Sequence, residues 1–205
     1  MTRLPEKILL ATGNAGKVKE IRHLVSDLRI NLLSLADVVD PPDVIEDGDT
    51  FEANALKKAR VLSNETGLVS LADDSGLCVD ALDGRPGVLS ARYAGDDASD
   101  EDKFKMLLRE MADVSEDRRT ARFVCVLALV WPDGPEEIFR GECEGLITHE
   151  PNGTAGFGYD PVFYYPAAGC TFSQMELTEK NQVSHRGRAL KLLAEYLTEL
   201  AAGKL

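Results

Sequence analysis

Two adjacent carboxylates, a hydroxyl and a glycine, Asp73-Asp74-Ser75-Gly76, interrupt an apolar stretch that approaches over Gly67–Leu71 and resumes at Leu77-Cys78-Val79. The approach reads as a strand. Successive side chains on an extended segment point to opposite faces, so Asp73 and Asp74 are expected to do different jobs: one faces a metal-phosphate site, the other fixes the local geometry. Carboxylates among so many apolar residues have to be hydrated, paired or bound to a metal, because a dry unpaired charge is very costly. The alternative is a solvated turn, since Asp, Ser and Gly are all turn residues.

Phosphate-binding chemistry is suggested nearer the N-terminus. The apolar run Lys7–Thr12 suits a buried strand, and Val18, Ile21, Leu24, Val25 and Leu28 recur at helical spacing, so Gly13-Asn14-Ala15-Gly16-Lys17 falls at a strand-to-helix junction. A helix start offers unpaired N–H groups and a positive dipole end, the glycines allow close backbone approach, and Lys17 supplies a cation. Thr12, Asn14 and Lys17 can therefore hold phosphate; alternatively, Thr12 and Asn14 cap the helix and Lys17 faces solvent. The run is not a G-x-x-x-x-G-K-[ST] loop. Further on, the acidic turn Glu46-Asp47-Gly48-Asp49-Thr50 precedes a helix with Phe51, Ala55, Ala59 and Leu62 on one side. Glu46 could reach a metal, or Asp49 or Thr50 could cap the helix and leave the other acids hydrated. Lys58 on that helix is a second candidate phosphate ligand, with a surface ion pair as the plainer reading.

A third cluster has the makings of a base pocket. Phe157 and Tyr159 lie among glycines in Gly153–Pro161, where an aromatic face can be exposed for stacking and Asp160 can accept from a ring N–H. Lys180 and Ser184-His185-Arg186 follow, and Ser184 can cap a terminal helix whose core face is Ala189, Leu190, Leu193, Ala194 and Leu197. His185 and Arg186 can donate hydrogen bonds to purine carbonyl oxygens. A packed loop and helix-end electrostatics are the bland readings of these residues.

The elements that position these groups alternate between helical and strand periods. Ile30–Leu35 suits a second strand, Pro41 and Pro42 exclude a helix at that point, and Ala81–Gly95 reads as a shaped connection rich in glycine. Asp100–Met111 carries a helical stripe of Phe104, Leu107, Leu108 and Met111, whereas Arg122–Trp131 and Glu136–Glu144 flank Pro132-Asp133-Gly134-Pro135 as a hairpin would.

A chain of 205 residues with 44% apolar content can bury a real core as one domain, with a possible smaller lobe formed mainly within 120–170. Its 23 basic and 35 acidic residues give a formal charge of -12, and no long Lys/Arg run appears. A broad surface for DNA or RNA is thereby excluded, while a local phosphate pocket is not. Cys78, Cys125, Cys143 and Cys170 lack a C-x-x-C pair and read as buried thiols. Neither an apolar N-terminal targeting stretch nor a membrane span is visible, so a soluble cytoplasmic protein is expected.

Taken in order, these pieces resemble the Ham1/inosine triphosphate pyrophosphatase family: Thr12-Gly13-Asn14 through Lys17, Phe51 through Lys58, Asp73-Asp74-Ser75-Gly76, Gly84 through Gly87 with Ser90-Ala91-Arg92-Tyr93, Phe157-Gly158-Tyr159-Asp160-Pro161, and Ser184-His185-Arg186. The resemblance covers almost the whole chain. It implies an elongated α/β protein whose mixed sheet carries two lobes flanking a nucleotide-binding cleft, commonly a homodimer. It implies Mg²⁺-dependent hydrolysis of ITP, dITP and XTP between the α- and β-phosphates, which clears free non-canonical purine nucleotides from the pool. By residue match, Thr12, Asn14, Lys17 and Lys58 are phosphate contacts, Glu46 and Asp74 metal ligands, Asp74 the group that activates water, and Asp73 its support. Ser75, Phe157, Gly158, Tyr159, Asp160, Lys180, His185 and Arg186 are substrate contacts. One departure is local: members often carry consecutive acids before the Asn-Ala of the second helix, and here Glu52-Ala53 stands in their place. Glu52, Asp47 or Asp49 would then have to compensate. The competing readings are a pyrophosphatase for altered pyrimidine or methylated nucleotides, as in the Maf-like group, and a nucleotide-binding regulator without turnover.

Overall fold

The computed structural model describes residues 3–12, 18, 21, 22, 28 and 30–204. Its strands are β1 (Lys7–Leu10), β2 (Asn31–Ser34), β3 (Val69–Val79), β4 (Thr120–Val130), β5 (Glu136–Ile147), β6 (Phe163–Tyr165) and β7 (Cys170–Thr171). Helices follow at α1 (Phe51–Thr66), α2 (Asp100–Glu110), α3 (Leu177–Val183) and α4 (His185–Ala201). Among the described residues the strands form one seven-stranded sheet in the order β2-β1-β3-β4-β5-β6-β7. The sheet is mixed: β1 runs parallel to both β2 and β3, whereas β6 is antiparallel to β5 and β7. This is the α/β class expected.

The chain divides into two compact units. The first contains Met1–Asp74, Val126–Arg140 and Ala189–Leu205, and the second Ser75–Cys125 and Gly141–Arg188. Both units are discontinuous in sequence, and the 120–170 region, from which a smaller lobe was expected, is shared between them, Val126–Arg140 falling in the first.

In the first unit the core follows from periodicity. Ile8, Leu9 and Leu10 are all buried, as expected of an inner parallel strand covered on both faces. Phe51, Ala55, Ala59 and Leu62 form the buried stripe of α1, and Leu193, Leu197 and Leu200 that of α4. Thr50 caps α1 by accepting a hydrogen bond from the Ala53 amide at 3.1 Å, which settles the choice between Asp49 and Thr50. The Tyr196 ring packs with Phe139, at a centroid distance of 5.4 Å.

The second unit has its own core, built from Leu77, Val79, Leu107, Met111, Phe123, Cys143, Ile147, Val162, Phe163 and Phe172 with others. Phe123 is its aromatic centre, 4.6 Å from Phe163 and 5.8 Å from Phe172 between centroids. Ser99 and Asp102 close a capping box at the start of α2. Asp73-Asp74-Ser75-Gly76 is uninterrupted strand within β3, the extended reading rather than the solvated turn, and the approach to Ser184 also contains the short helix α3. The helix expected over Val18–Leu28 lies largely outside the described residues; Val18, Ile21 and Arg22 are helical.

Arg119 is buried to 1% exposure inside the second unit. Its guanidinium donates to four backbone carbonyls: Ile147 at 2.7 Å, Met111 at 2.8 Å, Thr148 at 2.9 Å and Val114 at 3.2 Å. It thereby ties the end of α2 to the end of β5. Burial lowers its pKa, with Glu116 acting in the opposite sense. Replacing Arg119 with Met keeps much of the apolar volume but leaves these carbonyls without their donor. A loss of about 3 kcal/mol or more is expected in urea unfolding, the scale for stranding buried acceptors of a charged donor; an unchanged midpoint would show that water replaces the guanidinium freely.

Candidate active site

In the first unit, β3 carries Asp73 and Asp74 into the protein, where both are at least nine-tenths buried. Their partners come from α1. Asn54, itself 1% exposed, donates from Nδ2 to Asp74 Oδ2 at 3.0 Å. One turn further along α1, Lys58 donates to the Asp73 backbone carbonyl at 2.6 Å and pairs with Glu46 at 3.0 Å. Residues four apart share a helix face, so one side of α1 presents an amide and an ammonium to the double-Asp strand. The structure thus brings Glu46, Lys58, Asp73 and Asp74 together. Lys58 is held to acidic and carbonyl oxygens near the proposed chemistry, and is not the surface pair that its spacing equally allowed.

The acidic turn is shaped by the same helix. The Gly48 amide donates to Asn54 Oδ1 at 2.7 Å, and a Cβ on Gly48 would stand 2.7 Å from that oxygen and 2.9 Å from the Ala53 Cβ. Only glycine lets the turn approach this closely. Of the three acids named as stand-ins for a carboxylate at Ala53, two are engaged elsewhere: Asp47 pairs with Lys57 at 2.5 Å, and Glu52 pairs with Arg140. Thr12 follows β1, whose end is fastened to β3 by the Ala11 amide donating to the Leu71 carbonyl at 2.8 Å. Asn14 and Lys17 lie outside the described residues.

In the second unit, the Gly153–Pro161 loop is held from inside. Asp160, buried, accepts from the Phe157 amide at 2.9 Å and from Lys180 Nζ at 2.5 Å. Gly156 has φ 82°, and a Cβ there would lie 2.1 Å from Asp160 Oδ2. Phe157 is left 55% exposed, with the Lys180 ammonium 4.9 Å and the Arg186 guanidinium 5.5 Å from its ring centroid. Tyr159 departs from the expectation of an exposed aromatic face: its ring is buried and its hydroxyl donates to the Ser90 carbonyl at 2.9 Å. Burial drives the Tyr159 pKa up, so its hydroxyl stays a donor. Asp160 likewise serves the loop through Oδ2. His185 stacks on Phe123 at 4.7 Å and is nearly buried, and Arg186 Nε is buried without a hydrogen-bond partner among the described residues. Ser75, the first residue of this unit, is partly exposed.

The order and geometry of these residues can be set against known proteins. The sequence profile of the Ham1 family matches residues 8–196. The chain belongs to the Ham1 family. It is 54% identical over 197 residues to the dITP/XTP pyrophosphatase of Geobacter sulfurreducens, covering 96% of this chain and 97% of that protein. It is 48% identical over 199 residues to the dITP/XTP pyrophosphatase of Geobacillus kaustophilus, covering 97% and 98%. Among solved structures, a HAM1 protein from Coxiella burnetii superposes with a TM-score of 0.90 at 42% identity, over 94% of this chain and 98% of that one. The Ham1 fold is therefore present along nearly the whole chain.

Two residues that the sequence did not single out contact the candidate residues, one in each unit. Asn54 is one. The other is Asp100 at the start of α2, which accepts from the Gly158 amide at 2.7 Å and pairs with Lys103 at 3.1 Å. An acid in a first helical turn is favoured by the helix dipole alone, so the sequence position of Asp100 carries no sign of this contact. Burial is the largest single influence on Asp100 and raises its pKa, but the Gly158 and Lys103 bonds together outweigh it and hold the carboxyl below its ordinary 3.8. A depressed folded pKa adds stability above the unfolded value and loses it as pH falls through the folded one. Asp100→Asn should accordingly be less stable than the parent at neutral pH, with the gap closing as pH drops below 3.8. Urea midpoints measured across that range test this; a gap independent of pH would remove the charge from the explanation.

Proposed function

We propose that this protein is a nucleoside triphosphate pyrophosphatase that hydrolyses ITP, dITP and XTP to the monophosphate and pyrophosphate, clearing non-canonical purines from the nucleotide pool. The observation that carries the reading is the buried Asp73-Asp74 pair, set in mid-strand with the Lys58 ammonium on the Asp73 carbonyl and on Glu46. The Ham1 membership and the names of the Geobacter and Geobacillus relatives support it.

Mg²⁺ fits the donor set. Among the described residues no three His, Cys, Asp or Glu side chains converge as a metal cage. Mg²⁺ does not need one: it takes one or two carboxylates and completes its octahedron with water and substrate phosphates. Asp74 and Glu46 are the carboxylates that would hold it, oxygen donors that suit a hard cation better than a thiolate-loving one. When bound, Mg²⁺ supplies Lewis acidity, drawing charge from phosphate oxygens and making water easier to deprotonate.

The chain's own residues do the rest. Water adds across the α–β phosphoanhydride, its proton passes to Asp74, and pyrophosphate leaves. Lys58 places a cation where phosphate charge accumulates, while Thr12, Asn14 and Lys17 bind the triphosphate. Phe157 offers its exposed face to the base, and His185 and Arg186 donate to the O6 acceptor shared by hypoxanthine and xanthine. Adenine carries an amino donor at that position, and a donor facing a buried donor loses affinity. A net charge of -12 suits a free nucleotide better than a polymer.

Product-resolved hydrolysis of equal concentrations of dITP, XTP, dGTP and dATP, with Mg²⁺ or with EDTA, tests the reading. Monophosphate and pyrophosphate from dITP and XTP are expected only with Mg²⁺, with turnover reduced by about 100-fold or more in Asp74→Asn, the scale for losing a positioned base. Orthophosphate with a diphosphate product, or no turnover at all, would overturn it. Preference for altered pyrimidine nucleotides would point to the Maf-like alternative.

A further inference from the structure

We infer that Asn54 is a positioning residue for the proposed hydrolysis: its single amide orients the Asp74 carboxylate and at the same time anchors the Glu46 turn. The inference deepens the pyrophosphatase reading and rests on it. Asn54 faces two ways. Nδ2 donates to Asp74 Oδ2 at 3.0 Å, and Oδ1 accepts from the Gly48 amide at 2.7 Å. An amide is the one uncharged side chain of this length that offers a donor and an acceptor on adjacent atoms, and the two bonds fix which atom is which. Asp74 and Glu46 lie far apart in sequence, on β3 and on the turn before α1, so nothing local sets their mutual placement. The amide supplies that link from a rigid helix: Asn54 stands four residues after the Thr50 cap, donates its backbone N–H to the Thr50 carbonyl at 3.2 Å and is 1% exposed, beside the fully buried Ala55.

The geometry on the other side is equally tight. Gly48 approaches so closely that its missing side chain would overlap both Asn54 Oδ1 and the Ala53 Cβ. Glu46, two residues before Gly48, then meets Lys58 one helical turn beyond Asn54. Asn54 and Lys58 therefore act as two pegs on one face of α1. Lys58 holds the Glu46 side chain and the Asp73 backbone, and Asn54 holds the Gly48 backbone and the Asp74 side chain. Outer groups that orient metal-binding carboxylates commonly change metal affinity or activity by about 10–100-fold when removed.

The test compares the parent with Asn54→Ala, which loses both bonds, and Asn54→Asp, which keeps an acceptor for the Gly48 amide and loses the donor to Asp74. Two readouts are taken on each folded protein: steady-state dITP hydrolysis with Mg²⁺, and Mn²⁺ affinity without nucleotide, by calorimetry. Asn54→Ala is expected to lower kcat by about 30–100-fold with KM within about threefold, and to weaken Mn²⁺ binding by about tenfold. Asn54→Asp is expected to lose kcat at least as severely, because the isosteric change removes the donor and sets a second carboxylate against Asp74. Parent-like kcat in either folded variant would overturn the inference, as would a kcat loss in Asn54→Ala with unchanged Mn²⁺ affinity. Should Asn54→Ala fail to fold, the Asn54→Asp rate decides alone. A parent protein that turns over dITP while a variant matches it sinks only the role of Asn54; a parent protein that neither binds Mn²⁺ nor hydrolyses dITP sinks the pyrophosphatase reading and this inference with it.

Discussion

Two carboxylates buried in the middle of a strand impose a condition on everything packed around them. A strand interior offers backbone partners only to its own ladder, so the charges of Asp73 and Asp74 have to be met from a neighbouring element. Helix α1 supplies partners to both residues, Asn54 to the Asp74 carboxylate and Lys58 to the Asp73 backbone carbonyl. Phe51, Ala55, Ala59 and Leu62 hold it in the core, and the two alanines, both fully buried, keep its axis close enough for Asn54 and Lys58 to reach β3. A bulkier residue at either alanine would push the helix out and lengthen both bonds. The packing of α1 and the electrostatics of the double-Asp strand are one requirement seen from two sides.

The second unit solves a similar problem around Asp160. A buried ion pair is a weak source of stability unless further hydrogen bonds complete it, since desolvation of both charges offsets their attraction. The Phe157 amide provides such a bond, on the same carboxylate oxygen that Lys180 reaches. The consequence is directional. With its backbone fastened inward to Asp160, Phe157 turns its ring outward, while Tyr159 points into the core and is anchored by Ser90, whose hydroxyl in turn accepts from the Leu77 amide. One loop thus supplies an exposed aromatic face and a buried strut, from residues two apart.

Periodicity made most elements legible in the sequence. The apolar stripes of α1 and α2, the buried run of β1 and the two long strands flanking Pro132–Pro135 all fall where the spacing places them. What escaped was decided by distant partners. Asp, Ser and Gly have turn propensity, so strand and solvated turn were both open for the double-Asp segment; the structure has the strand, with Asn54 and Lys58 contacting it from α1. Helix α3 has no apolar stripe to read; its one buried residue is Lys180, which depends on Asp160. Whether Phe157 or Tyr159 would be exposed depends on Ser90, and the role of Asn54 depends on Asp74 and Gly48, none of which the local pattern can disclose. The order of motifs along the chain nonetheless made the Ham1 family legible, because a profile of that family matches residues 8–196.

The assigned residues also divide along the line of the two cores. Thr12, Glu46, Lys58, Asp73 and Asp74 belong to the first unit, whereas Phe157, Asp160, Lys180, His185 and Arg186 belong to the second. The triphosphate is common to every nucleotide, and only the base distinguishes a damaged purine from a normal one. Under the proposed function, the residues assigned to the common part are held by contacts between α1 and β3, and those assigned to the variable part by Asp160, Phe123 and the aromatic cluster around it. The boundary itself falls inside a single strand: Ser75, proposed to contact substrate, is joined by one peptide bond to Asp74 within β3, so a change at Ser75 acts on the backbone that carries the double Asp.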